Sequence, residues 1–104
     1  MSEIKMMDYG VSFQIESTVQ QYLGVGGWHY ALISKLQSEE IKKYIHQKRS
    51  WGAVPITVTL GKSIWKTSIF PDKQSEGYLL PLKAEIRKKE KIYSGDHISF
   101  SILL

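Results

Sequence analysis

The chain contains no cysteine, which excludes a disulfide framework, a thiolate nucleophile and a thiolate metal site together. Long apolar runs are also missing: none approaches the roughly 20 residues a helix needs to cross a bilayer, so no membrane partner is expected. The opening MSEIKMMDYG has neither an apolar core nor a small-residue cleavage site, so no secretory leader is expected and the compartment implied is the cytoplasm. Proline is scarce, with three residues at 55, 71 and 81, so each one marks a strand edge, a turn or a helix start.

Spacings that carry chemistry are equally sparse. The three histidines, His29, His46 and His97, stand far apart in no metal-binding pattern, and solvated or satisfied imidazoles are the plainer reading. Ser68 in KTSIF has no flanking glycine to build a strained nucleophile elbow. Glu39 with Glu40 reads as a helix start, and Asp72 with Glu76 as a solvated loop. The glycines of GVGG, Gly24 to Gly27, match neither nucleotide-binding pattern and read as a hairpin turn. No catalysis, metal or cofactor is therefore expected.

What is present is a β-rich globular pattern. A length of 104 residues fits one domain with one core, here residues 11–104 after an N-terminal arm of residues 1–10. Val11, Phe13, Ile15 and Val19 alternate with polar residues, the period of a half-buried strand, and WHYALI from Trp28 to Ile33 supplies its hairpin partner. Ser38 is positioned as an N-cap, with Glu39 and Glu40 in the first turn of a helix running to about Lys48, and Glu39 and Lys43 are spaced to pair on its polar face. Ile41, Tyr44 and Ile45 form its inner stripe.

In AVPITVTLGKSIWKTSIF, Gly61-Lys62 has glycine first, as a type II′ hairpin requires. That register places Leu60 opposite Ser63 and Val58 opposite Trp65, with Ile56, Val58, Leu60, Trp65 and Ile69 on one face. Pro71 to Gly77 reads as an exposed loop. YLLP follows as a strand, with Pro81 opening a helix whose buried stripe is Leu82 and Ile86. Gly95 supplies a positive φ, Asp96 bonds nearby amides, and Ile98, Phe100 and Ile102 alternate in a last strand. Six short strands, tight turns and two short helices predict a mainly β fold, a small closed or double-split barrel.

Charge is mildly positive, with 14 Lys plus Arg against 10 Asp plus Glu. Residues 1–52 carry six basic and five acidic side chains, and residues 53–104 eight and five, so the excess gathers in the C-terminal half. Lys83, Arg87, Lys88, Lys89 and Lys91 lie within nine residues, interleaved with Glu85 and Glu90, and Glu85 is spaced to pair with Lys89. Such a cluster permits a polyanionic partner, although a solvated helix face has the same composition.

Trp65, Ser68, Pro71, Tyr78, Leu80, Pro81, Arg87, Gly95 and Asp96 resemble the C-terminal signature of the family called domain of unknown function nineteen-oh-five. GGWHYALI and RSWGAVPITVTLG resemble its N-terminal half, with a departure at Ile33-Ser34, where that family carries a proline. The resemblance implies a bacterial or archaeal double-split β-barrel with no established reaction. LPLKAEIRKKEKIYSGDHISFSI also resembles the strand-helix-strand unit of AbrB-type regulators and MazE-type antitoxins, which bind DNA as swapped dimers.

These readings rank a non-enzymatic binding or interaction module first, as a monomer or small homo-oligomer with an unidentified small-molecule or protein partner. Trp28, Trp65, Ser68 and Arg87 are its candidate ligand residues. The alternative is nucleic-acid binding through Lys83, Arg87, Lys88 and Lys91. Arg87 is also expected to brace the barrel by pairing with Asp96.

Overall fold

The computed structural model describes residues 10–45 and 52–104. Its strands are β1 (Ser12–Gln21), β2 (His29–Ile33), β3 (Val54–Leu60), β4 (Ser63–Asp72), β5 (Gly77–Leu82) and β6 (His97–Leu103). Helix α1 (Lys35–Lys42) lies between β2 and β3, and α2 (Ala84–Glu90) between β5 and β6. The strands pair in the order β1-β2-β5-β4-β3-β6, and β6 returns to β1, closing an antiparallel barrel within one chain.

Closure depends on the two ten-residue strands. β1 pairs with β6 from Ser12 to Thr18 and with β2 from Val19 to Gln21. β4 pairs with β3 from Ser63 to Ile69 and with β5 from Phe70 to Asp72. Each long strand therefore changes partner part-way along, turning two small sheets into one ring. The expected alternation holds, with Ile15, Val19, Ile56, Val58, Leu60, Ile69, Leu80, Phe100 and Ile102 buried. The predicted hairpin register is also found: Val58 faces Trp65 and Leu60 faces Ser63, and the φ of +60° at Gly61 suits the first position of a type II′ turn. Pro55 sits near the start of β3, outside the β3–β6 ladder, where it interrupts no hydrogen bond of that ladder.

Both helices differ in detail from their expected boundaries, and both cap a mouth of the barrel. Ser34, not Ser38, is the N-cap of α1, accepting the Gln37 N–H. Glu39 and Glu40 consequently fall past the first turn, and Lys43 reaches Glu40 at 3.2 Å. Lys48 lies outside the described residues, as do His46 and Trp51. Tyr44 is exposed and stands edge-on to Phe13, whereas Ile41 is fully buried.

Ser38 is buried for a different purpose. Its hydroxyl donates to the Ile33 carbonyl at 3.2 Å and accepts the Tyr78 N–H at 3.0 Å, joining α1 to the end of β2 and the start of β5. Gly77 makes that junction possible, because a Cβ there would stand 2.5 Å from the Ile33 carbonyl oxygen.

At the other mouth, Pro81 and Leu82 belong to β5, paired with Tyr30 and His29, and α2 starts only at Ala84 behind the Lys83 cap. Both Leu82 and Ile86 point inward as expected, one from the strand and one from the helix. The expected loop from Pro71 to Gly77 is shorter, since Pro71 pairs with Tyr78 and Asp72 with Gly77. Asp72 accepts the Ser75 N–H, and Glu76 takes a φ of +62°.

Ser38→Ala removes two buried hydrogen bonds and should cost about 1–3 kcal/mol in urea unfolding. Gly77→Ala forces apart a backbone contact and should cost at least about 2 kcal/mol, with an unchanged midpoint counting against the junction.

Candidate functional site

The α2 end of the barrel gathers the C-terminal ends of β1 and β5, the start of β2, the β3–β4 turn and the loop before β6. Helix α2 is anchored across it. Glu90 accepts the Ser63 hydroxyl at 2.5 Å and the Lys62 N–H at 3.3 Å, which ties the last turn of α2 to the β3–β4 hairpin. Lys91 ends the helix in the left-handed region at φ +55°, Ile92 N–H returns to the Arg87 carbonyl, and Ile92 is buried. Asp96 accepts the Tyr93 N–H at 2.8 Å, and Gly95 at φ +94° donates to the Val19 carbonyl, so the following loop is pinned to β1.

Arg87 does not pair with Asp96 as expected. Its Nε–H donates to the Leu82 carbonyl at 3.0 Å, while the Asp96 carboxylate serves the Tyr93 amide. The expected Glu85–Lys89 pair is likewise not among the ion pairs of the described residues. Asp96 and His97 diverge as expected, with His97 Nε2 at 2.9 Å from the Glu16 carboxylate.

Between α2 and the first residue of β2 lies a cleft of about 340 Å³, lined by His29, Arg87, Lys88, Lys91, Tyr93 and Ser94. No carboxylate among the described residues lines it. A cleft of similar size, about 350 Å³, at the α1 end is lined by Lys35, Lys42 and Lys73 together with Glu39, Asp72 and Glu76, and there Lys35 pairs with Glu76 at 2.8 Å. One end of the barrel is charge-balanced and the other is not.

His29 is the part of this site that sequence reasoning left among the solvated imidazoles. Its side chain falls on the inward face of β2 shared with Ala31 and Ile33, so it turns toward the mouth under α2. Its Nδ1 is buried with no hydrogen-bond partner. Burial, and then the neighbouring Arg87 guanidinium, hold its pKa below the usual 6.5, so the ring is neutral at pH 7. The only sequence signal was its position, one residue from Trp28 on a strand beside the basic helix.

The other candidate residues are dispersed. Trp28 lies on the outer face with Tyr22 and Tyr30, at ring-centroid distances of 5.7 and 5.1 Å. Trp65 packs partly buried against the core, its Nε1 without a partner. Ser68 pairs with Pro55 about 16 Å along β4 from Ser63 and the α2 mouth. Of the four ligand candidates only Arg87 lines the cleft. Of the basic set, Arg87, Lys88 and Lys91 converge, while Lys83 is exposed at the helix cap and does not line it.

Among the described residues no group of three His, Asp or Glu could hold a metal, and no helix is long and apolar enough to cross a membrane.

Arg87→Ala should lower stability by about 1–2 kcal/mol, and combining it with Asp96→Ala should be additive within about 0.5 kcal/mol, because the two side chains serve different partners. The depressed His29 pKa gives an opposite-signed test. The unfolded chain takes up the proton first, so stability carried by neutral His29 is complete above pH 6.5 and is lost as pH falls below it. His29→Gln should flatten urea-midpoint loss between about pH 7 and pH 5 relative to the parent.

The chain matches the family described as Domain of unknown function (DUF1905) over residues 16–102, a span that includes both helices and every residue of the cationic cleft. Comparison with the curated proteins and with the solved structures finds no match in either. A match over most of the length, carried by a closed six-stranded barrel with its proline, glycine and aspartate corners in place, means that the chain belongs to the DUF1905 family.

Proposed function

We propose that the protein is a non-enzymatic binding module whose cleft beside α2 takes an anionic group. The observation that carries this reading is the convergence of Arg87, Lys88 and Lys91 with an imidazole whose Nδ1 has no partner, in a cleft lined by no carboxylate among the described residues. Two carboxylates on this end are already engaged, Glu90 by the Ser63 hydroxyl and Asp96 by the Tyr93 amide. Closely spaced cations on a part-buried rim repel one another, and an entering anion relieves that repulsion while accepting charge-assisted hydrogen bonds. The barrel interior is filled by Ile15, Val58, Leu80, Phe100 and Ile102, which favours a ligand on the rim over one inside.

Arg87 serves both stability and binding, so the discriminating variant is Lys88→Glu with Lys91→Glu, which leaves the Arg87 bond to Leu82 in place. Inorganic sulfate, whose charge is constant through the neutral range, is the probe. At low salt, a sulfate concentration about 100-fold above Kd should raise Tm by about 10 °C. The double reversal should remove the shift. Affinity should rise as pH falls through the depressed His29 pKa, because a bound anion favours the imidazolium and, among the described residues, Arg87, Lys88 and Lys91 are the charged groups lining the cleft beside it. No shift with sulfate, pyrophosphate or citrate at low salt, or turnover of any ligand found, would overturn the proposal.

A further inference from the structure

The β1–β2 connection carries the two most exposed large aliphatic side chains among the described residues. Leu23 is 93% exposed and Val25 98% exposed, flanked by Tyr22 at 46% and Trp28 at 41%. This is a held hairpin tip. Tyr22 N–H bonds the Trp28 carbonyl at 2.7 Å, Gly27 N–H closes a turn onto Gly24, and the Gln21 amide caps the Gly27 carbonyl at 3.1 Å. Gly24 lets the Tyr22 ring lie against the backbone, where a Cβ would stand 2.6 Å from the ring's Cζ, and Gly26 and Gly27 take φ of +95° and +49°. The turn holds two aliphatic side chains outward, above a base of tilted aromatic rings.

The same end of the barrel carries Lys88 and Lys91 in the cleft, exposed Lys83, and Tyr93 at 68% exposure. An aliphatic tip above an aromatic collar, on the same end as these cations, matches the layers of an anionic bilayer surface: acyl chains, interfacial zone and headgroups. A single-stranded nucleic acid would use the cations and rings but has no use for Leu23 and Val25, since bases stack on aromatic faces.

From this juxtaposition we infer that the α2 end is a docking face for an anionic phospholipid membrane, with Leu23 and Val25 entering the acyl boundary and the α2 lysines resting on the headgroups. This is adsorption and not crossing, so it is independent of the absence of a spanning helix among the described residues. It rests on the cationic cleft for its electrostatic half and on the hairpin for its apolar half.

The test is co-sedimentation of the full chain with vesicles of phosphatidylcholine alone or with about 30% phosphatidylglycerol. Binding is expected only to the anionic vesicles, weakening with salt as the surface potential is screened. Leu23→Ser with Val25→Ser should cut partitioning at least about tenfold while leaving the sulfate-induced Tm shift intact. Lys88→Glu with Lys91→Glu should remove both. If the parent ignores anionic vesicles yet still binds sulfate, the docking face is overturned and the cleft stands. If the serine variant binds vesicles as the parent does, the apolar half is wrong and the inference fails. Tight binding to an oligonucleotide without vesicle binding would likewise overturn it.

Discussion

Two strands that change partners part-way along hold this fold together. β1 passes from β6 to β2 between Thr18 and Val19, and β4 passes from β3 to β5 between Ile69 and Phe70. At each crossing the inward residue, Val19 or Ile69, is completely or almost completely buried. A strand that serves two neighbours must bend, and it can bend inward only if its inner side chains pack tightly enough to fill the narrowed interior. The aliphatic core, the closed ring and the two mouths follow from that requirement. Because the ring cannot bury the ends of its own core, each mouth needs a helix, and Ile41 and Ile86 supply the missing apolar cover.

That division of labour explains why the chemistry stands on the rims. The interior is occupied by Ile15, Val58, Leu80, Phe100 and Ile102, and the polar residues that alternate with them face outward. The two rims then diverge by composition. α1 brings Glu39 and Lys42 to a neighbourhood with acids of its own, whereas α2 brings Arg87, Lys88 and Lys91 to a cleft that no described carboxylate lines, Glu90 and Asp96 being committed to hydroxyl and amide groups. The asymmetry in charge between the two halves of the chain thus becomes an asymmetry in space.

Much of this was legible in the residues because period-two burial and turn chemistry are local. The β3–β4 register needed only Gly61-Lys62 and its flanking alternation, and the Gly95-Asp96 corner needed only the backbone those residues permit. Failures came where two local solutions have the same appearance. Ser34 and Ser38 are both plausible caps, and the choice was made by Gly77, 39 positions after Ser38, which opens space for a buried hydroxyl. Pro81 suits a helix start and a strand position equally, and its pairing with Tyr30 decided the matter. Arg87 took a carbonyl five residues back in place of the carboxylate nine ahead. The site was half-legible for the same reason. The lysines cluster in sequence and could be read directly, but His29 joins them only through the β2–β5 pairing, and Trp28, Trp65 and Ser68 were separated by strand alternation and by distance along β4.

Ring closure also governs the company this barrel can keep. An open sheet offers a row of unpaired amides and carbonyls on which a neighbouring polypeptide can template itself, the usual route to runaway polymerisation. Here each strand has two neighbours in the ring, so that route is narrowed to the stretches of β1 and β4 that pair on one side alone, and recognition of another molecule falls chiefly to side chains and exposed turns.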